Sequence, residues 1–295
     1  MPEQPPSDAD LRAALHGVRA LLLDADGVIV LRGRLIEGAA EALAGLEAGG
    51  IPYRILTNYS MFHRDTLAAR FSMGGTVTLD GSRIITAASA AAAYTAQHAA
   101  GEPLFVLAAA DARREFAGQH LLTAQEAAAP GARAAAVVIG DGGDELSFAN
   151  LSIAFRLLRD GARFLAMHRN PWWLTPDGVS LDAGSTVAGL EFSLGRRAVL
   201  AGKPSPVVFR QGAAALAADL GVSRVPARSI AMVGDDLRTD LAPARRLGMR
   251  TALVLTGKVA PGDEEAAIAR TGFRPDAVAA SLRSLVEALD GPRAR

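Results

Sequence analysis

ALLLDADG, residues 20–27, joins four apolar residues to two aspartates and a glycine. A short apolar run that ends in polar residues is typical of a strand buried on both faces of a parallel sheet. Asp24 and Asp26 are two positions apart, so in extended chain their side chains point to the same face. Gly27 then permits a tight turn. The stretch therefore predicts a buried strand that ends in a pair of carboxylates.

Seven further apolar runs predict strands of the same kind, at residues 53–56, 104–108, 135–139, 164–167, 198–201, 230–233 and 251–255. Amphipathic stretches of helical length lie between many of them, at residues 38–48, 150–159, 207–220 and 239–247. A glycine follows each of these four stretches, as expected at a helix end. Alternating strands and helices predict an α/β fold with a Rossmann-like parallel sheet and right-handed crossovers.

Four of the apolar runs lead into polar residues with complementary chemistry. The first leads into Asp24 and Asp26, and the others lead into Thr57-Asn58, Lys203-Pro204 and Asp235-Asp236. The carboxyl ends of parallel strands lie along one edge of a sheet, and ligands bind there. We therefore expect these residues to meet in one crevice.

This set of residues suits an attack on phosphorus. Asp24 is ionised at neutral pH and can act as a nucleophile without an activating base, while Asp26 can protonate the leaving oxygen and later deprotonate water. Magnesium would neutralise charge, with Asp24 and Asp235 as suitable ligands. Lys203 offers a positive charge and Thr57 a hydroxyl donor to the phosphoryl group, and the backbone N–H of Asn58 can add a third donor.

Composition and motifs exclude several other classes. Lys+Arg and Asp+Glu both number 31, so the balanced charge gives no reason to expect nucleic-acid or membrane binding. There is no cysteine, which excludes thiol nucleophiles and Cys-based zinc sites. No G-x-G-x-x-G follows a strand, and Lys203 lacks the flanking residues of a phosphate-binding P-loop. The Gly-rich run at 140–144 is interpreted as a turn.

At these residues the chain resembles the haloacid dehalogenase superfamily of hydrolases. Residues 24–28 match its first motif, nucleophile then acid/base, and Thr57-Asn58 matches its phosphate-binding second motif. Lys203 matches the third motif, and residues 234–240 match the fourth, which holds magnesium. The resemblance implies an aspartyl-phosphate intermediate and a metal bond from the backbone carbonyl of Asp26. It also implies that Asp236 and Asp240 orient the metal ligands and the lysine.

Roughly 145 residues separate the second and third motifs, far more than a loop needs. The chain is in this respect similar to the subclass with a large inserted α/β cap, the group of p-nitrophenyl phosphatase and NagD. The stretch from Phe164 to Pro204 is similar to the phospholysine phosphohistidine inorganic pyrophosphate phosphatase branch. We expect core residues 1–84 and 185–295, with the cap at 85–184.

Residues 168–173 of this cap are predicted to lie over the crevice and to help select the substrate. His168 begins the loop, Arg169 can meet an anionic leaving group, and Trp172 and Trp173 face opposite ways in extended chain. One tryptophan could close the site against water. Two alternatives stay open: both tryptophans anchor the cap to the core, or substrate choice is made at residues 59–63.

The expected activity is hydrolysis of a small phosphorylated metabolite. The alternatives are transfer of the phosphoryl group to a second substrate, or a binding protein built on an inactive core. A dead copy need not keep Asp24, Asp26, Lys203 and Asp235 together, and this chain has all four. A homodimer through the cap is a further expectation. The absence of cysteine and of a signal-peptide pattern in residues 1–10 fits the cytoplasm.

Overall fold

The computed structural model of the chain describes residues 8–72, 78–175 and 178–290. Each of the eight apolar runs forms a strand there, and each strand begins and ends within one residue of the predicted bounds. The predicted α/β fold class is confirmed.

In chain order the strands are β1 Ala20–Asp24, β2 Val30–Leu31, β3 Arg34–Leu35, β4 Tyr53–Thr57, β5 Ile84–Thr86, β6 Leu104–Leu107, β7 Ala136–Ile139, β8 Arg163–Ala166, β9 Trp172–Thr175, β10 Gly178–Leu181, β11 Val199–Leu200, β12 Ile230–Gly234, β13 Arg250–Val254 and β14 Ala277–Ala279. The helices are α1 Asp8–Ala14, α2 Ala39–Ala48, α3 Arg64–Phe71, α4 Ala87–His98, α5 Ala110–Arg113, α6 Ala124–Ala128, α7 Phe148–Arg159, α8 Ala183–Leu194, α9 Pro206–Asp219, α10 Ala242–Arg246, α11 Glu264–Thr271 and α12 Leu282–Asp290.

The described chain forms two compact units. The first unit comprises the described residues up to Thr57, Ala68–Ile85 and those from Phe209 onward; the second comprises Asn58–Leu67 and Thr86–Val208. The second unit therefore includes residues 58–67 and 185–208, which lie outside the predicted cap. The three-part division into core, cap and core stays a prediction.

The first unit is built on a six-stranded sheet in the order β14-β13-β12-β1-β4-β5. Strand β1 is parallel to both β12 and β4 and is fully buried, as its run of leucines requires. The chain passes to one side of β1 for β4 and to the other side for β12, so the strand order reverses beside β1. Ligands bind in open α/β sheets at such a switch point.

The second unit is built on a four-stranded parallel sheet in the order β11-β8-β7-β6. Helix α7 covers it with Ile153, Ala154, Leu157 and Leu158, which are buried at the spacing of one helix face. Val187 of α8 joins the same core. A two-stranded antiparallel hairpin, β9-β10, forms a separate small sheet.

Strand β11 corrects one prediction. The run that precedes Lys203 was expected to end at the same sheet edge as the runs before Asp24, Thr57 and Asp235. Instead Val199 pairs with Leu165 of β8 in the four-stranded sheet. The run was also expected to be buried on both faces, but Val199 is exposed. An apolar run indicates a strand, and it does not report which sheet the strand joins.

The predicted helices are present, with one difference at residues 239–247. The backbone forms a wide π turn over Leu237–Leu241 before the regular helix α10 begins. Leu241 donates its N–H to the carbonyl of Asp236, five residues earlier. Single π turns of this kind are frequent at functional sites.

The described helices include none with the length and apolar character that crossing a bilayer requires.

Candidate active site

Asp24 is the last residue of the central strand β1. The parallel register pairs Leu23 with Val233 and Asp24 with Leu56, so Asp24, Asp235 and Thr57 leave adjacent strands within about one residue of one another. Asp24 is buried, and the backbone N–H of Ala25 donates to its Oδ1 at 2.6 Å. The sheet register alone therefore sets a carboxylate at the switch point between β12 and β4.

Asp26 lies in a tight loop directly after the strand. Gly27 has φ +80° and donates its N–H to the carbonyl of Val30 at 2.7 Å, which closes the loop. A side chain at position 27 would be strained at that φ and would also overlap the Asp235 carboxylate. Asp26 itself is exposed while Asp24 is buried. The loop thus gives the two acids different surroundings.

Asp235 is held in a cradle of backbone. Gly27 lies on one side and Gly257 on the other, and a Cβ at either position would overlap the carboxylate. The backbone N–H of Lys258 donates to Asp235 Oδ2 at 2.9 Å, and Thr256 Oγ1 donates to the carbonyl of Gly27 at 2.5 Å. The loop at Gly27 and the loop at residues 256–258 therefore enclose the buried Asp235 carboxylate and are hydrogen-bonded to each other.

The π turn after β12 positions two further acids. Asp236 Oδ1 accepts from the N–H groups of Arg238 and Thr239 at 2.7 and 3.1 Å, which caps the turn. Asp240 is fully buried against Gly234, where a Cβ would press on its carboxylate. The turn thereby brings the Asp240 side chain back toward the end of β12.

Asp24, Asp235 and Asp240 form a cluster of three buried carboxylates. Each offers one oxygen within 4.8 Å of the other two. Buried like charges at this separation disfavour one another, and a cation relieves that cost. Carboxylate oxygens are the ligands that Mg²⁺ prefers. The three carboxylates and the glycines around Asp235 therefore fit a small divalent ion. Asp240, which the sequence predicted to orient the metal ligands, is itself a member of this cluster.

Lys258 is a residue of this site that the sequence prediction missed. Its Nζ lies 2.6 Å from Asp236 Oδ2. Burial acts to raise the pKa of Asp236, but the hydrogen bond and charge of Lys258, together with the N–H groups of Arg238 and Thr239, outweigh it and hold that pKa below its usual range. Burial acts to lower the pKa of Lys258, and Asp236 raises it above its usual range. The signal was available, because Lys258 follows the predicted strand at 251–255.

Asn58 and Lys203 meet within the second unit. Asn58 Nδ2 donates to the carbonyl of Lys203 at 3.0 Å, and the Lys203 N–H donates to Asn58 Oδ1 at 2.8 Å. Gly202 has no room for a side chain, since a Cβ there would overlap Asn58 Oδ1 and the carbonyl of Met167. Lys203 is buried and precedes a cis proline. Two residues predicted to bind phosphate are thus joined through their backbone and amide groups.

The four predicted substrate-selecting residues of the second unit have different surroundings. Trp172 and Trp173 lie on β9 with side chains on opposite faces, 58% and 37% exposed. The Arg169 guanidinium lies 2.6 Å from Glu191 Oε2. His168 is buried and hydrogen-bonded to Ser60, so its side chain serves an interior contact.

Comparison with protein families finds two matching models. Residues 21–121 match the haloacid dehalogenase-like hydrolases, and residues 200–285 match a second model described as HAD-hydrolase-like. Together they cover more than half of the chain.

Curated relatives match over nearly the full length. Chronophin of Mus musculus is 34% identical over 294 residues, covering 96% of this chain and 97% of the relative. The phospholysine phosphohistidine inorganic pyrophosphate phosphatase of Homo sapiens is 31% identical over 256 residues, covering 85% and 87%.

Solved structures agree with this comparison. The p-nitrophenyl phosphatase from Archaeoglobus fulgidus superposes with a TM-score of 0.80 at 27% identity, covering 92% of this chain and 99% of that one. NagD from E. coli K-12 superposes with a TM-score of 0.75 at 27% identity, covering 90% and 97%. The predicted resemblance is confirmed. The relatives include chronophin as well as the predicted phospholysine phosphohistidine inorganic pyrophosphate phosphatase.

Proposed function

The chain belongs to the haloacid dehalogenase-like hydrolases, and on that premise we propose that it is a magnesium-dependent phosphatase acting on small phosphorylated metabolites through an aspartyl-phosphate on Asp24. The observation that carries the proposal is the cluster of Asp24, Asp235 and Asp240 at the switch point of the six-stranded sheet. Relatives named phosphatases support the reaction class.

Asp24 and Asp26 divide the chemistry between them. In the first step an Asp24 oxygen attacks phosphorus, the bond from phosphorus to the leaving oxygen breaks, and protonated Asp26 gives its proton to that oxygen. In the second step Asp26 takes a proton from water as the water oxygen attacks phosphorus. The bond to Asp24 then breaks, which releases inorganic phosphate and restores both acids.

The surroundings of the two acids suit these roles. Asp24 is buried and accepts from a backbone N–H, which holds its carboxylate in place for attack. Asp26 is exposed on the loop closed by Gly27, where it can reach a leaving group and exchange protons with water. Metal bound by Asp24, Asp235 and Asp240, together with the backbone carbonyl of Asp26, would supply positive charge to the phosphoryl oxygens.

Thr57, Asn58 and Lys203 are proposed to bind the phosphoryl group. Thr57 ends β4 one residue beyond Leu56, the partner of Asp24, so both residues lie at the same edge of the sheet. Lys203 contributes a charged Nζ, and its hydrogen bonds with Asn58 fix its backbone. Donors held in place before the reaction lower the barrier because they need no rearrangement as charge develops.

Asp236 is proposed to orient this machinery, and Asp240, predicted from the sequence to do the same, lies close enough to the other two carboxylates to bind the metal itself. Asp236 ties the π turn to Lys258, and that turn places Asp240 beside the other two carboxylates. Arg169, Trp172 and Trp173 stay candidates for substrate selection. A cytoplasmic location and a homodimer through the cap also remain proposals.

Release of inorganic phosphate from a panel of phosphorylated metabolites tests the proposal. We expect turnover in Mg²⁺, none in excess EDTA, and poor turnover in Ca²⁺, which prefers longer and looser coordination. Reaction in ¹⁸O-labelled water should place the label in the phosphate, whereas transfer to a second substrate would not. Full activity in EDTA would contradict the metal role, and phosphate binding without turnover would favour the inactive binding protein.

A further inference from the structure

Ser60 and His168 form a buried hydrogen bond in the second unit. Ser60 Oγ and His168 Nε2 are 2.8 Å apart, and the two residues are 3% and 2% exposed. Asp182 Oδ1 lies 3.5 Å from the same Nε2, and the backbone N–H of Asp141 donates to Ser60 Oγ at 3.3 Å. The proposed reaction uses none of these four residues, although a buried polar network is costly unless its members are satisfied.

The surroundings of His168 select one tautomer. Asn170 donates its backbone N–H to Nδ1 at 3.3 Å, so Nδ1 acts as an acceptor. The hydrogen of a neutral ring is then on Nε2, which faces both Ser60 Oγ and the Asp182 carboxylate. The Nε2–H therefore donates to Ser60, and the serine hydroxyl accepts.

His168 is also kept neutral. Burial lowers the pKa of His168 below its usual range, and the charges of Asp182 and Asp141, which act to raise it, do not reverse that shift. A second proton would be placed on Nδ1, against the N–H of Asn170. The ring is thus a single fixed donor at neutral pH.

Ser60 lies in the turn that follows Thr57. Two residues earlier in this turn, Asn58 exchanges hydrogen bonds with Lys203. His168 follows strand β8 and Lys203 follows the neighbouring strand β11. Beyond the ends of these strands, the Gly202 N–H donates a hydrogen bond to the carbonyl of Met167 at 2.8 Å. Hydrogen bonds at Asn58 and at Ser60 therefore hold the turn against one edge of the four-stranded sheet.

We propose that His168 is a positioning residue that holds Ser60 through its Nε2–H and so fixes the turn at residues 57–60 for phosphate binding. The inference rests on the proposed function for the role of that turn. His168 acts through Ser60 and touches no reacting atom. It replaces the predicted role of His168 as a residue that reads the substrate.

Two substitutions of His168 separate the donor from the bulk of the ring. The amide nitrogen of His168→Gln reaches about as far as Nε2, whereas that of His168→Asn reaches only about as far as Nδ1. We expect His168→Asn and Ser60→Ala to weaken binding of inorganic phosphate, measured by calorimetry with Mg²⁺, by about tenfold. His168→Gln should restore most of the affinity. The same order is expected in kcat/KM.

A double variant tests whether His168 acts through Ser60. Ser60→Ala with His168→Asn should bind phosphate no more weakly than either single variant, because the two residues share one interaction. His98→Asn is the control, since His98 is an exposed histidine of the same unit. It should leave phosphate affinity unchanged.

Several results would overturn the proposal. One is a lower Tm in His168→Asn and Ser60→Ala with unchanged phosphate affinity, which is the pattern of a purely structural contact. Another is additive losses in the double variant, and a third is no recovery of affinity in a folded His168→Gln. Wild-type protein that binds phosphate but hydrolyses nothing would refute the proposed function. The phosphate affinities of the variants would then still decide whether His168 positions the turn. Wild-type protein that hydrolyses phosphorylated metabolites and binds no phosphate would refute this proposal and leave the proposed function standing.

Discussion

The two sheets of this protein end in polar edges of opposite character. The six-stranded sheet ends in carboxylates, with Asp24 after β1 and Asp235 after β12. The four-stranded sheet ends in His168 after β8 and Lys203 after β11, with one acid, Asp141, after β7. Both sheets are parallel, and both present these residues at the carboxyl ends of their strands.

The difference shows that sheet topology determines where a binding site forms, whereas the residue types at the strand ends determine what the site can bind or catalyse. An edge of buried carboxylates binds a cation and provides a nucleophile. An edge with a lysine and a neutral histidine is suited instead to binding an anion and to holding a turn in place. The proposed reaction needs both abilities.

Removing the nucleophile from the acidic edge should have the largest effect. Asp24→Asn keeps the shape of the side chain and removes the ionised oxygen, so we expect kcat to fall on the order of 10⁴-fold or more. Steady-state phosphate release measures this, with circular dichroism as the folding control. Near-wild-type turnover in a folded variant would refute the mechanism.

The second acid should matter less than the first. Asp26→Asn removes acid/base help and leaves the nucleophile, so the expected loss in kcat is about 10²–10⁴-fold. A substrate with a good leaving group, such as p-nitrophenyl phosphate, should lose less than an alkyl phosphate, because its oxygen needs less protonation. Equal losses on both substrates would argue against proton donation by Asp26.

The basic edge can be tested at Lys203. Lys203→Met keeps most of the apolar stem and removes the charge, and we expect kcat/KM to fall about 10²–10³-fold. Arg197→Met is the matched control, because Arg197 is an exposed cation of the same unit that pairs with Glu191. Similar losses in the two variants would mean that general charge, and not the position of Lys203, is responsible.

Gly257→Ala tests the cradle around Asp235 without removing any ligand. The added methyl group overlaps the Asp235 carboxylate, so that side chain must move. We expect the Mg²⁺ concentration for half-maximal activity to rise about tenfold, with activity recovering at high Mg²⁺. Gly189→Ala, at a helical glycine with open space, is the control and should not change Mg²⁺ dependence. An unchanged Mg²⁺ requirement in Gly257→Ala would count against this site for the metal.

The Lys258–Asp236 pair should have the smallest effect. Lys258 is 65% exposed in its side chain, so Lys258→Met should cost at most about 1 kcal/mol of stability at low salt. The pKa of Asp236 is lowered, so the contribution of its carboxylate is present above its usual pKa and is lost as pH falls through the lowered value. The difference in Tm between wild type and variant should therefore close under acid conditions. A difference that persists in acid would point to packing and not to charge.

Local sequence predicted much of the fold and part of the candidate site. All eight apolar runs form strands, and most of these strands are buried on both faces, which leaves a continuous apolar signal. Strand β11 is the exception, since Val199 is 42% exposed. Strands β5 and β14 and the hairpins β2-β3 and β9-β10 were missed, since they are short or have exposed apolar residues. Ser60 and His168 were not paired from sequence, because nothing in either segment signals a partner 108 positions away.

The sequence by itself determined the acids, their spacing from the strand ends and the family, because these depend on residue type and on local order along the chain. Only the tertiary structure decided that β11 joins the four-stranded sheet, that Asp240 enters the carboxylate cluster, and that His168 faces Ser60. These depend on which strands and turns lie side by side. Packing determines which distant segments form hydrogen bonds with each other, and the periodicity of apolar residues does not predict those partners.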